Sequence, residues 1–235
     1  MTGDDAIPSG RQRQSGNPPA APRRRHNLYN RYVKRALDFA VAVVGLLVAS
    51  PLLAVCAMAI RLESKGAVFF RQRRVGQSCK LFQLVKLRTM VDNTEQMGWK
   101  VTASGDARVT RVGRWLRKTK IDEVPQLWNV LLGEMSLVGP RPEVPEYVAA
   151  YDSEQKRVLE LKPGMTSAAS LQFVDEEEIL GRQTNTEDFY VRKIMAEKLA
   201  LDLAYRERIG FFEDTRLVLR TVARVLRLAR NRKES

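Results

Sequence analysis

From Phe39 to Ile60 the chain reads FAVAVVGLLVASPLLAVCAMAI, without one charged side chain. As a straight helix this stretch would be about 30 Å long, enough to cross the hydrocarbon core of a bilayer. A helix that is apolar all round cannot be the surface helix of a soluble domain, which keeps a polar face. The segment therefore belongs with lipid, and the rest of the chain must be placed relative to it. Arg31, Lys34 and Arg35 precede it, and Arg61, Lys65, Arg71, Arg73 and Arg74 follow it. The preference of cationic flanks for the cytoplasmic side is thus met at both ends at once. Ser50-Pro51 sits at the centre, where proline removes a backbone donor and a serine hydroxyl can re-satisfy the freed carbonyl. Two topologies fit: a kinked single span, and a re-entrant helix broken at Ser50-Pro51 with both flanks on one side.

The remainder must build a domain around that helix. A length of 235 residues suits one catalytic domain, and a formal net charge of +13 implies anionic partners: phospholipid headgroups, phosphorylated substrates or nucleic acid. Neither Cys56 nor Cys79 has a second Cys or a His at metal-ligand spacing, which argues against structural zinc. The one histidine, His26, lies among Arg23, Arg24 and Arg25 in a Pro-rich stretch with little to bury, so a histidine general base is not expected. Residues 1–31 read as a disordered basic Pro-rich tail that lacks the features of a removable leader, 32–62 as the membrane helix and 63–235 as the catalytic domain. AVFFRQ and KLFQLVKLRT, separated by Val75-Gly76-Gln77-Ser78-Cys79, predict a β-hairpin. Helical periodicity covers about Arg111 to Lys118, Glu123 to Leu132, Ser153 to Leu161 and Thr186 to Arg208. The final RLVLRTVARVLRLARNRK alternates apolar pairs with arginines, which fits a helix on an anionic membrane surface and equally a core-packing helix with a solvated basic face.

With no usable histidine, chemistry must rest on carboxylates and basic groups. In Lys120-Ile121-Asp122-Glu123-Val124-Pro125, adjacent carboxylates precede a helical run, with Pro125 in its first turn. The partial positive charge of a helix start keeps carboxylates ionised and attracts phosphate, so the place suits a nucleophile with an anionic substrate; plain helix capping is the alternative. Basic side chains bracket the pair: Arg111, Arg114, Arg117 and Lys118 upstream, Arg141 downstream. Arg141 is fixed between Pro140 and Pro142, which would aim a guanidinium with little entropy left to lose; a surface turn is the alternative. The acidic run Asp175-Glu176-Glu177-Glu178 reads as a solvated face rather than a metal site.

KRALDFAVAVVGLLVASPLL, FFRQRRVG, KLFQLVKLRTM, GRWLRKTKIDEVPQLWNVLLGEMSLVGPRPE and LKPGMT occur in that order between about Tyr32 and Leu226. Together they resemble the bacterial sugar transferase family, the monotopic phosphoglycosyl transferases, in a minimal catalytic form. The resemblance implies an α+β, mostly helical membrane-associated domain with a re-entrant membrane helix broken at Ser50-Pro51, a short β-hairpin and amphipathic surface helices. It implies that Asp122 is a nucleophile forming a covalent phosphosugar from a UDP-sugar with release of UMP, and that polyprenyl phosphate then takes the sugar phosphate. Glu123 would help hold Mg2+. Lys86, Arg117 and Arg141 would bind phosphate, Asp202 is a further acidic active-site position, and Arg88 and Arg74 are weaker candidates. The implied setting is the cytoplasmic face of a bacterial inner membrane, with anionic lipids as partners and a homodimer left open. One departure stands out: Ser167 follows Pro163-Gly164-Met165-Thr166 where the family commonly has glycine, which bears on substrate identity more than on reaction type.

Two other readings are open to the sequence. A basic membrane scaffold or nucleic-acid binder would use Asp122 and Glu123 only as caps, but zinc-finger spacing and RNA-binding aromatic motifs are lacking. A glycosyl transferase that leaves the phosphate behind would release the nucleoside diphosphate instead of the monophosphate.

Overall fold

The computed structural model describes residues 29–91, 106–183 and 186–230; the tail before residue 29, His26 included, lies outside them. The apolar stretch forms α1 (Lys34–Glu63), and the interruption expected at Ser50-Pro51 is not seen: Pro51 lies within the helix. Pro51 deprives the Leu47 carbonyl of its backbone donor, and the Ser50 hydroxyl donates to that same oxygen at 2.8 Å. The helix therefore continues through the proline with no orphaned acceptor there.

Both ends of α1 are tied to the rest of the domain. At the start, Arg35 donates to the Val130 and Leu131 carbonyls at 2.6 and 2.8 Å, and Asp38 accepts from the Leu137 amide at 3.1 Å. At the end, the Glu63 carboxylate accepts from the Arg111 and Val112 amides at 2.7 and 3.0 Å. Between these ties Ala42 packs with Phe82, Leu84, Val130 and Met135, and Cys56 and Ile60 pack with Leu87 and Leu116. The opposite face leaves Val44, Leu47, Val48, Val55 and Met58 exposed. A contiguous apolar surface of that size marks a lipid or partner contact.

The expected hairpin is present as β1 (Phe69–Val75) and β2 (Leu81–Leu87), antiparallel with Phe70 opposite Lys86. Its turn is closed by the Gly76 amide donating to the Lys80 carbonyl at 2.7 Å. Then α2 (Arg111–Thr119) is capped by the Thr110 hydroxyl, which accepts from Gly113 at 2.9 Å. Gly113 is required here, since a Cβ would lie 2.0 Å from the Thr89 carbonyl oxygen. Lys120, at φ 59°, ends α2 in the left-handed region, and the chain re-enters as a 3-10 turn (Ile121–Gln126) that runs into α3 (Leu127–Leu132). The buried Asn129 side chain joins α3 to the open edge of β2, accepting from Val85 and donating to Gln83.

Two short parallel strands were not signalled by periodicity: β3 (Ser136–Val138) and, beyond α4 (Pro145–Ala149) and a 3-10 turn (Gln155–Glu160), β4 (Gly164–Thr166). Three-residue strands are too short to show alternation. After them come α5 (Ala168–Gln172), α6 (Glu176–Gly181) and α7 (Thr186–Phe189), which continues through a π turn (Tyr190–Ile194) into α8 (Met195–Arg208). The chain is thus mostly helical, as the sequence implied. The last helix, α9 (Phe211–Arg230), satisfies both readings of its sequence. Asp214 and Leu217 are buried against the domain, while Phe212, 86% exposed, and Leu219 and Val222 face outward beside Arg216, Arg220 and Arg224.

Candidate active site

The left-handed Lys120 turns the chain back after α2 and sets Asp122 and Glu123 in the first turn of the 3-10 segment, packed against β2. The two neighbours are treated differently by the fold. Asp122 is only 6% exposed, and its Oδ1 has no hydrogen-bond partner. Burial, then the charge of Glu123, pushes its pKa up to about 6, against the pull of Lys86, Lys120 and Arg117. Glu123 instead accepts a two-pronged guanidinium from Arg141, at 2.8 and 3.2 Å. Burial works to raise its pKa, but the charge and hydrogen bonds of Arg141 overcome it and hold Glu123 well below the usual carboxylate range. The charge of Glu123 in turn raises Arg141. The fold thus drives the two neighbouring carboxyls in opposite directions, Asp122 up and Glu123 down.

Lys86 comes from β2, where its ammonium lies 5.3 Å from the Phe70 ring centroid. Burial brings its pKa down to about 8 despite the attraction of Asp122. Arg117 donates to the Thr89 hydroxyl at 2.9 Å and is one of the cations acting on both Asp122 and Lys86. Lys86, Arg117, Asp122, Glu123 and Arg141 are therefore brought together, although they come from four separate stretches of sequence. Arg88 is not brought in: its guanidinium is spent on the Ser64 and Lys65 carbonyls at 2.8 and 2.6 Å, where it completes the end of α1. Arg74 supports the site instead of lining its centre, donating to the Pro142 carbonyl at 2.8 Å and pairing with Glu143.

The Pro140-Arg141-Pro142 loop is held from behind by β4. The Gly164 amide donates to the Pro140 carbonyl at 2.8 Å, and the Gly139 amide to the Thr166 carbonyl at 2.9 Å. A Cβ on Gly164 would sit 2.1 Å from the Gly139 nitrogen, so glycine is what lets the two backbones meet. The LKPGMT stretch thus fixes where Arg141 stands. Asp202, on α8, lines a small cavity beside this loop with Arg141, Glu143 and Tyr151. It is 4% exposed, its Oδ1 has no partner, and burial raises its pKa to about 7 against the influence of Ser167 and Lys198, which lowers it.

Several participants went unassigned in the sequence. Glu143 takes Arg74 on one oxygen and the Tyr190 hydroxyl on the other, and Lys198 pairs with Glu176 at 3.0 Å. Glu176 is thus a partly buried ion-pair partner, whereas Asp175 and Glu178 pair with Arg224 and Arg182 on the exposed surface. The available signals were small: Glu143 directly follows the Pro-Arg-Pro triplet, and Lys198 precedes Asp202 by one helical turn.

As for metal, among the described residues no group of three or more His, Cys, Asp and Glu is placed to hold an ion. Magnesium does not demand such a cage, because it binds through one or two carboxylates and takes its other ligands from phosphates and water. The orphaned Oδ1 of Asp122 beside the ionised Glu123 fits that donor set. Glu123 reaches it with one lone-pair direction on each oxygen already given to Arg141.

The structure thus sets a carboxylate pair among four cations, beside a helix with an exposed apolar face. The family model for bacterial sugar transferase covers residues 29–228. The chain belongs to the bacterial sugar transferase family. Among its relatives is UDP-glucose:undecaprenyl-phosphate glucose-1-phosphate transferase of Caulobacter vibrioides, 39% identical over 204 residues, covering 82% of this chain and 69% of that protein. UDP-N-acetylgalactosamine-undecaprenyl-phosphate N-acetylgalactosaminephosphotransferase of Aeromonas hydrophila is 35% identical over 198 residues, covering 83% of this chain. This family member spans 44% of the length of the Aeromonas protein.

Proposed function

We propose that the chain transfers a sugar 1-phosphate from a UDP-sugar to polyprenyl phosphate, with undecaprenyl phosphate as the lipid, through a covalent phosphosugar on Asp122. The observation that carries this reading is the buried, unpartnered Oδ1 of Asp122 amid Lys86, Lys120 and Arg117. An ionised oxygen held without a partner in a cationic setting suits attack on a phosphorus. In the first step an Asp122 oxygen bonds the sugar-bearing phosphorus, the bond to the second phosphate breaks, and UMP leaves with the electron pair. In the second step a phosphate oxygen of the polyprenyl carrier bonds the same phosphorus, and the Asp122 carboxylate is regenerated.

Lys86 and Arg117 would neutralise the phosphates as charge shifts to the leaving group. Arg141 has donors beyond the two given to Glu123, so it can hold a phosphate oxygen while staying anchored. Magnesium, held by Glu123 and Asp122, would supply charge neutralisation of the diphosphate.

The proposed setting is the cytoplasmic face of the inner membrane, with α1 re-entrant. Support comes from the two ends of α1, both hydrogen-bonded to one domain through Arg35 and Glu63, as expected when both flanks lie on one side. Arg216, Arg220 and Arg224 beside the apolar stripe of α9 suit anionic headgroups. Single-cysteine labelling at positions Asn30 and Lys65, with Cys56 and Cys79 removed, should mark one side only; labels on opposite sides would establish a span.

The decisive experiment exposes the enzyme to UDP-sugar without lipid acceptor. Mass spectrometry should place a sugar-phosphate adduct on the peptide containing Asp122, with UMP released in equal amount. Release of UDP, or turnover with no adduct, would give the site to direct glycosyl transfer or single displacement.

A further inference from the structure

The Pro140-Arg141-Pro142 loop has little with which to hold itself. Its two prolines carry no amide hydrogen, so it lacks donors that a turn would use to close on its own backbone. It is gripped by its carbonyls instead. The Pro140 carbonyl takes the Gly164 amide at 2.8 Å, and the Pro142 carbonyl takes the Arg74 guanidinium at 2.8 Å. The next residue is tied to β1 as well, since the Val75 amide donates to the Glu143 carbonyl at 2.9 Å. These clamps set the point from which the fork of Arg141 reaches Glu123.

The Gly164 clamp is backbone on backbone, but the Arg74 clamp depends on side chains. Gln72 takes two Arg74 donors at 2.7 and 3.1 Å and fixes the plane of the guanidinium on β1. Glu143 supplies the counter-charge with one carboxylate oxygen, 3.5 Å away. Its other oxygen accepts from the Tyr190 hydroxyl. That hydroxyl also meets the buried Lys198 at 3.4 Å, and Lys198 is paired with Glu176 at 3.0 Å. An ammonium can only donate, so the hydroxyl accepts from Lys198 and spends its one proton on Glu143. The direction of the relay is thereby fixed, from α8 through the π turn to the loop. Arg74 and Lys198 are matched by Glu143 and Glu176, and this charge balance suits a brace better than a binding site.

We propose that Glu143 and Tyr190 are positioning residues for the reaction: with Lys198 orienting the Tyr190 hydroxyl, they hold Arg74 on the Pro142 carbonyl and so set the Arg141 fork against Glu123. The inference rests on the sugar-phosphate transfer reading above, in which Arg141 also holds a phosphate oxygen. Among the described residues neither Glu143 nor Tyr190 hydrogen-bonds Asp122 or Glu123, so their influence passes through Arg141. Arg141 needs that support, because its side chain is 35% exposed and a misplacement of about 1 Å can cost on the order of a hundredfold in rate.

The test is a pair of double-mutant cycles on the full chain in lipid nanodiscs. UMP release per folded molecule is measured with undecaprenyl phosphate and whichever of UDP-glucose and UDP-N-acetylgalactosamine the wild type turns over. Tyr190→Phe should lower kcat about fivefold and Glu143→Gln about tenfold, with KM within about twofold, as for loss of geometry in the transition state. In an Arg141→Lys background, which has already lost the fork, each change should cost less than about twofold more, since residues acting through one group are not additive. A brace that serves only stability would lower the melting temperature and leave kcat per folded molecule unchanged, which would overturn the proposal. Losses that multiply fully with Arg141→Lys would also overturn it, by placing the effect elsewhere. If Glu143→Gln does not fold, the Tyr190→Phe cycle decides alone. A crystal structure of Tyr190→Phe gives a readout that needs no donor: the Arg141 guanidinium should lose at least one of its contacts with Glu123, and an unmoved fork overturns the proposal. Normal turnover in Arg141→Lys alone would remove the phosphate role on which the inference rests, whereas additive losses beside an impaired Arg141→Lys sink the inference and leave that role standing.

Discussion

Two buried clusters in this protein use the same residue types and end differently. Where α1 meets α9, Asp214 accepts from Tyr29 at 2.8 Å and Tyr205 at 2.5 Å and is paired with Lys34. Lys34 also donates to the Val138 carbonyl at 2.9 Å. Both oxygens of that carboxylate are answered. Around Asp122 there is again a buried aspartate with a lysine nearby, yet one oxygen has no partner and the aspartate and lysine pKa values are pushed toward each other. Burial and charge alone do not separate a brace from a reactive site. Between these two aspartates hydrogen-bond completeness does, because an unmet carboxylate acceptor in a low-dielectric pocket is held at a cost that the rest of the fold must support.

The comparison is open to test, beginning with the largest expected effect. Asp122→Asn should lower turnover by at least about 10⁴-fold with the melting curve little changed, since loss of a covalent nucleophile elsewhere removes about 10⁶. Near-normal turnover would end its role as nucleophile. Asp214→Asn should do the reverse: leaving Lys34 buried without its counter-charge should destabilise the fold by about 3 kcal/mol, while kcat per folded molecule stays near wild type. A catalytic loss at unchanged stability would erase the distinction between the clusters. Arg141→Lys keeps the charge but loses the planar fork on Glu123, so kcat should fall about tenfold to a hundredfold without unfolding. Unchanged kinetics would return Arg141 to a surface-turn role.

The smallest effect is in pH. Asp122 must be ionised to attack, so kcat/KM should fall as pH drops through about 6; Lys86 must be charged to receive phosphate, so it should fall again as pH rises through about 8. Lys86→Arg, whose guanidinium stays charged, should lose the alkaline limb. A flat profile in the wild-type enzyme would show that neither Asp122 nor Lys86 is the titrating group.

Much of the architecture was legible because it is local. The apolar run, the hairpin and most of the helical periods depend on neighbours within a turn or a strand and are found, but the period read over Ser153 to Leu161 forms only a 3-10 turn at Gln155–Glu160. Ser50-Pro51 was read from the general habit of proline, but the serine hydroxyl satisfies the freed Leu47 carbonyl and the helix continues. Arg88 was the weaker candidate beside Lys86; it lies just past the end of β2, and its guanidinium goes to the carbonyls at the end of α1. Asp202 could be singled out by motif, but that one of its oxygens would be buried without a partner could not.

The sequence by itself determined the lipid-seeking helix, the acid–base composition of the site and the family, since these follow from residue types and short-range order. Only the tertiary structure decided which carboxylate is answered and which is left wanting. That depends on donors arriving from segments far apart in the chain, and on how completely their packing excludes water.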